Sequence, residues 1–145
     1  MTSRIAIGSD HAGFTLKGLI KGRLLALGHS VQDLGTHSSD SIDYPVPAHA
    51  VAGMVERGEA ECGILICGSG NGVSIAANKH VGIRSALAWN PEIAALGKQH
   101  NNANVLAIPA RFVSVEEAFA IVDAYLGARF EGGRHQIRVD KIEGA

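Results

Sequence analysis

The most constraining feature of this sequence is a short apolar segment that ends in a thiol and a run of glycines. Residues 63–67 carry no charged or amide side chain, so both faces of this segment can be buried, as in a central strand of a parallel sheet. Residues 68–72 follow directly, and three of these five are glycine. An apolar pattern through Asn78 then indicates a helix. The segment therefore predicts a strand, a tight turn and a helix in succession.

The same alternation of short apolar segments with helical patterns runs along the whole chain. Strands are predicted at residues 5–7, 30–34, 63–67, 83–88 and 104–108. Helices are predicted at about 14–27, 48–57, from the glycine turn to 78, at 92–99, and from a capping box at Ser114 and Glu117 to about 126. This order predicts an α/β fold: one three-layer α/β/α domain over residues 1–145 with about five parallel strands.

Length, charge and cysteine content exclude several classes of protein. A chain of 145 residues can bury a core without disulfide or metal staples. The net charge of -1 provides no general attraction to nucleic acid or to an acidic membrane. No apolar run approaches the ~20 residues of a spanning helix, and no signal peptide is recognisable. The chain has two cysteines, Cys62 and Cys67, so we do not expect a disulfide scaffold. We expect a cytoplasmic location instead.

Many of the 18 glycines lie where the predicted strands end. In a doubly wound sheet, ligands bind beyond the carboxyl ends of the strands. The glycines at or near these ends are Gly8, Gly13, Gly35, Gly68, Gly70 and Gly72. The sequence therefore predicts a ligand site at this edge of the sheet.

Cys67 and the turn that follows it form the sharpest chemical motif. Backbone N–H groups in a turn of small residues can converge on an anion, and the positive end of the next helix favours a thiolate. A buried cysteine beside a packing turn would give the same local pattern, so that alternative stays open. Cys62 precedes the strand and is interpreted as a bystander.

Two other polar segments are expected at the same edge. Asp10 and His11 follow the first strand, and a carboxylate beside an imidazole suits acid/base chemistry at a sugar oxygen. Asp10 as a simple helix N-cap is the alternative. The segment 100–104 joins the fourth helix to the fifth strand and offers His100 and several amides for polyol recognition. His100 could instead only complement the negative end of that helix.

The basic tail is the last candidate. If residues 134–138 are helical, Arg134 and Arg138 share a face with His135 near them, which suits a phosphate dianion. A solvated basic turn paired with Glu131 and Asp140 is the alternative. The tail extends beyond the α/β core and is expected to reach a partner subunit. No group of His, Cys, Asp and Glu has metal-ligand spacing, so no metal and no other cofactor is expected.

Taken together, these segments resemble the B-type ribose-5-phosphate isomerases, of the family that also isomerises galactose, tagatose and allose phosphates. The matching segments are GSDHAGF (8–14), DYP (43–45), CGSGNG (67–72), IAANK (75–79), GIR (82–84), HNNANVL (100–106) and GGRH (132–135). They span nearly the whole chain in the order of the family. The resemblance implies a Rossmann-like fold and a homodimer that builds each active site at its interface.

The resemblance also implies roles for individual residues. Cys67 is expected to move the proton between C1 and C2, and His100, with Asp10, to open the furanose ring. Val73 occupies the position where another branch of the family has a glutamate base, so a Cys-type enzyme is implied. The other implied roles are proton transfer at the sugar oxygens for Ser69, enediolate binding by Gly68, Gly70, Asn71 and Gly72, sugar contact by Tyr44 and Asn101, and phosphate binding by His11, Arg111, Arg134, His135 and Arg138.

The expected activity is the interconversion of ribose 5-phosphate and ribulose 5-phosphate through a cis-enediolate, without a metal. Allose 6-phosphate, galactose 6-phosphate and erythrose 4-phosphate are alternative substrates, and the loop 35–44 and the surroundings of Trp89 would shape the choice. A non-catalytic module that binds a phosphometabolite is the second interpretation. The sequence leaves dimer and tetramer open.

Overall fold

The computed structural model describes residues 2–144. Five parallel strands form one sheet. The strands are β1 (Arg4–Ser9), β2 (Ser30–Asp33), β3 (Cys62–Cys67), β4 (Ser85–Leu87) and β5 (Val105–Pro109), in the spatial order β2-β1-β3-β5-β4. Met1 and Ala145, the ends of the predicted domain, lie outside the described residues. The prediction of about five parallel strands is confirmed.

Helices cover both faces of the sheet. They are α1 (Phe14–Ala26), α2 (Pro45–Glu56), α3 (Asn71–Ala77), α4 (Pro91–Asn101), α5 (Val115–Gly127) and α6 (Arg134–Val139), with a 3-10 turn at His11–Gly13 before α1. Apolar side chains of α1, α4 and α5 pack on one face, and those of α2 and α3 pack on the other. This arrangement confirms the three layers expected from the sequence.

β3 shows how the sequence specifies the core. Its six residues are all buried, and successive side chains point to opposite faces. Ile64 and Ile66 therefore join the apolar cluster beneath α1 and α5, whereas Leu65 and Cys67 join the one beneath α2 and α3. A strand buried on both faces has to be apolar throughout, which explains the unbroken pattern in the sequence.

Most element boundaries lie within two residues of the expected ones, and two differences have a clear local cause. α2 begins at Pro45, three residues before the predicted start, because proline is tolerated in the first turn of a helix. β4 is shorter than predicted because Ile83 N–H closes a turn onto His80 O and Arg84 N–H donates to Asn104 Oδ1. The predicted capping box at Ser114 and Glu117 is present.

A buried ion pair ties α1 to the end of β2. Lys17 is only 2% exposed, and its Nζ donates to Asp33 Oδ1 at 2.6 Å. Burial by itself raises the pKa of Asp33, but hydrogen bonds from Lys17 and from Gly35 N–H hold that pKa below its usual value. Gly35 O in turn accepts from Ser9 N–H at 2.7 Å. The ion pair and these hydrogen bonds therefore hold Asp33 and Gly35 beside the end of β1.

No helix between residues 2 and 144 is both long enough and apolar enough to cross a membrane.

Candidate active site

The ends of β1 and β3 form a crevice at the carboxyl edge of the sheet. From β1 the chain crosses to β2 on one side, and it then returns to β3 on the other side. Such a reversal of direction leaves an opening between the two strands where ligands bind. Asp10 N–H donates to Ile66 O at 3.2 Å, which brings Asp10 next to Cys67. The predicted carboxylate and thiol are therefore neighbours at this edge.

The glycine turn connects Cys67 to α3 without bulky side chains. Cys67 is 5% exposed, and Ser69 Oγ accepts from Asn71 N–H at 3.3 Å. Gly70 has a φ of 76°, and a Cβ on it would lie 2.4 Å from Leu87 Cδ1. Both the left-handed backbone and the close packing require glycine at this position. Gly70 thus forms the floor of the turn rather than its surface.

A cavity of about 620 Å³ opens above this turn. It contains eight of the residues predicted for the site: Asp10, Tyr44, Cys67, Gly68, Ser69, Asn71, Gly72 and Arg111. Arg111 N–H donates to Gly68 O at 3.0 Å, and its guanidinium packs over that glycine. The cavity therefore combines a thiol, a carboxylate, a hydroxyl and one cation around backbone amides.

Tyr44 and His11 connect the loop 35–44 to this cavity. The Tyr44 ring lies so close to Gly72 that a Cβ there would come within 2.6 Å of Tyr44 Cε1. His11 Nδ1 accepts from Ile42 N–H at 3.2 Å. His11 follows Asp10 in the 3-10 turn but does not line the cavity. The loop is thus anchored on both sides of the site.

The second group of predicted residues lies at the opposite edge of the sheet. His100 and Asn101 end α4, and the chain then enters β5 at its amino end, where Asn104 O accepts from Gly63 N–H at 2.9 Å. The expectation that segment 100–104 reaches the same edge as Cys67 is therefore wrong for a single chain. A helix that crosses back between parallel strands runs against their direction, so its last turn lies at their amino ends.

The basic tail joins His100 at this opposite edge. Residues Arg134–Val139 form α6, which meets the condition on which the phosphate hypothesis for the tail depends. The imidazoles of His100 and His135 stack with centroids 4.2 Å apart and planes 9° apart. Glu131 Oε1 lies 3.7 Å from His100 Nε2 and 3.4 Å from His135 Nε2. Burial, His100 and Arg134 lower the pKa of His135.

His100, Glu131 and His135 bring three potential metal ligands within 4.8 Å of one another. The spacing of these residues in the sequence did not predict such a group, because α4 and α6 come together only in the fold. The two imidazole planes are nearly parallel, so their in-plane lone pairs do not point at one common ion. The arrangement therefore does not suit a metal centre.

Two further cavities adjoin predicted residues. One of about 360 Å³ lies at the amino edge of β4 and includes Asn101 and Arg84. Another of about 500 Å³ lies beside the glycine turn and contains Trp89, Phe112 and Ser69. The region of Trp89 is therefore adjacent to the site, as the substrate hypothesis assumed.

Three residues near these groups were not selected from the sequence. Ile75 and Phe112 line the main cavity although they are 61% and 73% exposed. Glu131 contacts two predicted histidines, whereas the sequence suggests it only as a charge partner of the tail. Large apolar side chains left exposed beside a cavity are the signal that identifies the first two, and it requires the fold.

Known proteins match the chain over nearly its whole length. The family described as Ribose/Galactose Isomerase matches residues 5–142. A ribose-5-phosphate isomerase B from Escherichia coli is 53% identical over 139 residues, which cover 96% of this chain and 93% of that protein. A solved ribose-5-phosphate isomerase B from Clostridium thermocellum has a TM-score of 0.95 at 49% identity, with 96% and 94% of the two chains covered.

A third relative was solved with a sugar phosphate. The ribose-5-phosphate isomerase B from Mycoplasma genitalium with bound ribulose 5-phosphate has a TM-score of 0.93 at 49% identity, over 96% of this chain and 93% of that one. The chain that contains these segments is therefore similar to these proteins in both sequence and fold. The chain belongs to the Ribose/Galactose Isomerase family.

Proposed function

We propose that this protein, as one sugar-phosphate isomerase domain, interconverts ribose 5-phosphate and ribulose 5-phosphate through a cis-enediolate. The observation that carries the proposal is the cavity of about 620 Å³ in which Cys67, Asp10 and Ser69 meet the glycine turn. Relatives named ribose-5-phosphate isomerase B, about half identical over nearly their full length, support this choice of substrate.

The residues of the cavity match what the reaction needs. Removal of a proton next to a carbonyl leaves negative charge on oxygen, so a base and fixed hydrogen-bond donors are required. Cys67 is the base, and a positioned base supplies about 10²–10⁴-fold in rate. The amides of residues 68–72 stabilise the enediolate, and each such donor is worth roughly 2.7–4 kcal/mol. Two or three such amides therefore lower the activation barrier by more than the base does, and the proposed reaction needs no metal.

Each active site is formed by two chains of a homodimer. Within one chain Cys67 and His100 lie at opposite edges of the sheet, so His100 can act at this cavity only from a second copy. The exposed apolar side chains around the cavity, Tyr44, Ile75 and Phe112, provide a surface for that copy. His100 of the partner subunit, with Asp10, opens the furanose ring, and Asn101 of the partner subunit contacts the sugar.

The phosphate is bound by cations from both chains. Arg111 lines the cavity and His11 adjoins it. Arg134, His135 and Arg138 of the partner subunit complete the phosphate cluster. Guanidinium groups bind phosphate oxygens in pairs, which fixes the far end of the substrate and helps to position the reacting carbons.

Detection of ribulose 5-phosphate formed from ribose 5-phosphate, with excess chelator present, tests this proposal. Product formation supports a metal-independent isomerase, and kcat/KM compared across tetrose, pentose and hexose phosphates identifies the preferred chain length. Absence of product from every phosphosugar, together with phosphosugar binding in calorimetry, would instead establish the non-catalytic binding module.

A further inference from the structure

Glu131 is held beside the two stacked histidines by its backbone as well as by its side chain. Its N–H donates to Gln99 O at 2.9 Å, which joins the approach to α6 to the last turn of α4. Its carboxylate lies within 3.7 Å of His100 Nε2 and within 3.4 Å of His135 Nε2. The carboxylate is therefore a built part of the basic cluster.

The negative charge of Glu131 acts on two imidazoles that have different neighbours. Among residues 2–144, neither Arg134 nor Arg138 forms an ion pair, so the two guanidiniums remain available for an anion. They lie four residues apart in α6 and so share one face of that helix. His135 belongs to the same helix, and the charges of both arginines act on its ring, whereas His100 lies on α4 with the carboxylate near its ring. The arginines therefore offset the repulsion of a phosphate dianion at His135, while the carboxylate repels it from His100.

We propose that Glu131 is a positioning residue that keeps the substrate phosphate off His100. The inference rests on the proposed function, in which His100 acts on the sugar ring and Arg134, His135 and Arg138 bind phosphate. Without the carboxylate, a dianion could bind against His100, and the sugar would then be displaced from the histidine that opens it. Glu131 thus sets the direction in which a phosphosugar enters.

Binding of inorganic phosphate, measured by titration calorimetry, tests the inference without any need for turnover. We expect Glu131→Gln to bind inorganic phosphate about fivefold more tightly than the unaltered protein, because one nearby negative charge is removed. Glu131→Asp retains the charge and should bind phosphate within about twofold of the unaltered protein. Unchanged or weaker phosphate binding by Glu131→Gln would overturn the inference.

Two controls separate this role from a general change of charge. Asp140→Asn removes one negative charge from the end of α6, where Asp140 bonds to Gln136 and not to an imidazole. It should leave phosphate affinity nearly unchanged, and equal tightening would refute a specific role of Glu131. In a His100→Asn background, the effect of Glu131→Gln should largely disappear, because the group that would hold the misplaced phosphate is gone. An effect of the same size in that background would also refute it.

Kinetics with ribose 5-phosphate give a second readout. Glu131→Gln should lower kcat several-fold without raising KM, since phosphate still binds but in a less productive position. Glu131→Asp keeps the negative charge and should have nearly the kcat of the unaltered protein. A rise in KM with unchanged kcat would place Glu131 in simple substrate binding and contradict the proposal. If the unaltered protein isomerises no phosphosugar, the proposed function fails, while the calorimetric comparison still decides the role of Glu131.

Discussion

Cys67 and His100 lie at opposite edges of the same sheet. Cys67 is the last residue of β3, whereas His100 lies in the last turn of α4, just before β5 begins. The two residues are brought together only if the carboxyl edge of one chain meets the amino edge of another. Under the proposed function, this relationship makes assembly a condition of catalysis, which can be tested directly.

Mixing two inactive variants should restore activity. Cys67→Ala removes the proposed base and His100→Asn removes the proposed ring-opening group, so we expect each variant alone to be inactive on ribose 5-phosphate. A mixed dimer contains one site with both native groups. Random exchange of subunits should therefore recover up to about a quarter of the native activity. Persistent inactivity after demonstrated subunit exchange would show that the two residues do not share a site.

Cys67→Ala should abolish isomerisation and leave phosphosugar binding largely intact. The thiol is the proposed base, whereas the amides and cations that hold the substrate are unaffected. The matched control is Cys62→Ala: burial raises the pKa of Cys62 to about 11, so this thiol is protonated and inert near neutral pH. That variant should retain turnover. Near-normal turnover by Cys67→Ala would assign the base elsewhere.

Arg138→Ala should mainly raise KM for ribose 5-phosphate. A hydrogen bond between charged groups contributes about 1.5–3 kcal/mol, which corresponds to an increase in KM of about tenfold to a hundredfold. Arg129→Ala removes an exposed arginine outside the predicted cluster and is the matched control. Steady-state kinetics on both variants provide the check. If the two arginines had equal effects, Arg138 would have no special role in phosphate binding.

Gly70→Ala should destabilise the protein and reduce activity together. The substitution places a Cβ 2.4 Å from Leu87 Cδ1 at a φ of 76°, and the backbone strain alone costs about 1–3 kcal/mol. Gly22→Ala is the control, since Gly22 lies in α1 with no atom within 4 Å of the new Cβ. It should stabilise the fold by about 0.5–1 kcal/mol. Urea denaturation of both variants measures the contrast.

Lys17→Met should lower the free energy of unfolding at pH 7 by about 1–3 kcal/mol, because it leaves the Asp33 carboxylate largely without its buried partner. The pKa of Asp33 is lowered in the folded protein, so the ion pair stabilises above the unfolded pKa of about 3.9 and is lost as pH falls below it. The difference between variant and native protein should therefore shrink below about pH 4. Lys21 is more exposed than Lys17, and its Nζ lies 3.5 Å from Asp33 Oδ2. Lys21→Met should therefore lower the free energy of unfolding by about 0.5 kcal/mol or less. A difference that persists at low pH would exclude the ion pair as its cause.

Local patterns predicted the elements and one half of the candidate site. The apolar run at β3, the glycine turn and the Ser114 capping box each depend on neighbouring residues, so the sequence was sufficient for them. Asp10 and Cys67 were correctly expected at one edge because each lies at or just beyond the carboxyl end of a predicted parallel strand.

The other half depended on information that is not local. The position of His100 depends on the direction of α4 relative to the sheet, and the contact of Glu131 with His135 depends on how α6 packs against α4. Strand order was only partly accessible. The unbroken apolar pattern of β3 indicated a central strand, but no local pattern shows that β5 lies between β3 and β4.

The position of β5 has a consequence for synthesis on the ribosome. β4 pairs with β5 alone, and β5 lies between β3 and β4 although it is the last strand to be made. Gly70 packs against Leu87 of β4 and the backbone of β5. A nascent chain that ends before residue 105 thus has an unpaired β4 and an unsupported glycine turn. The thiol site can assume its shape only when the final strand has entered the sheet.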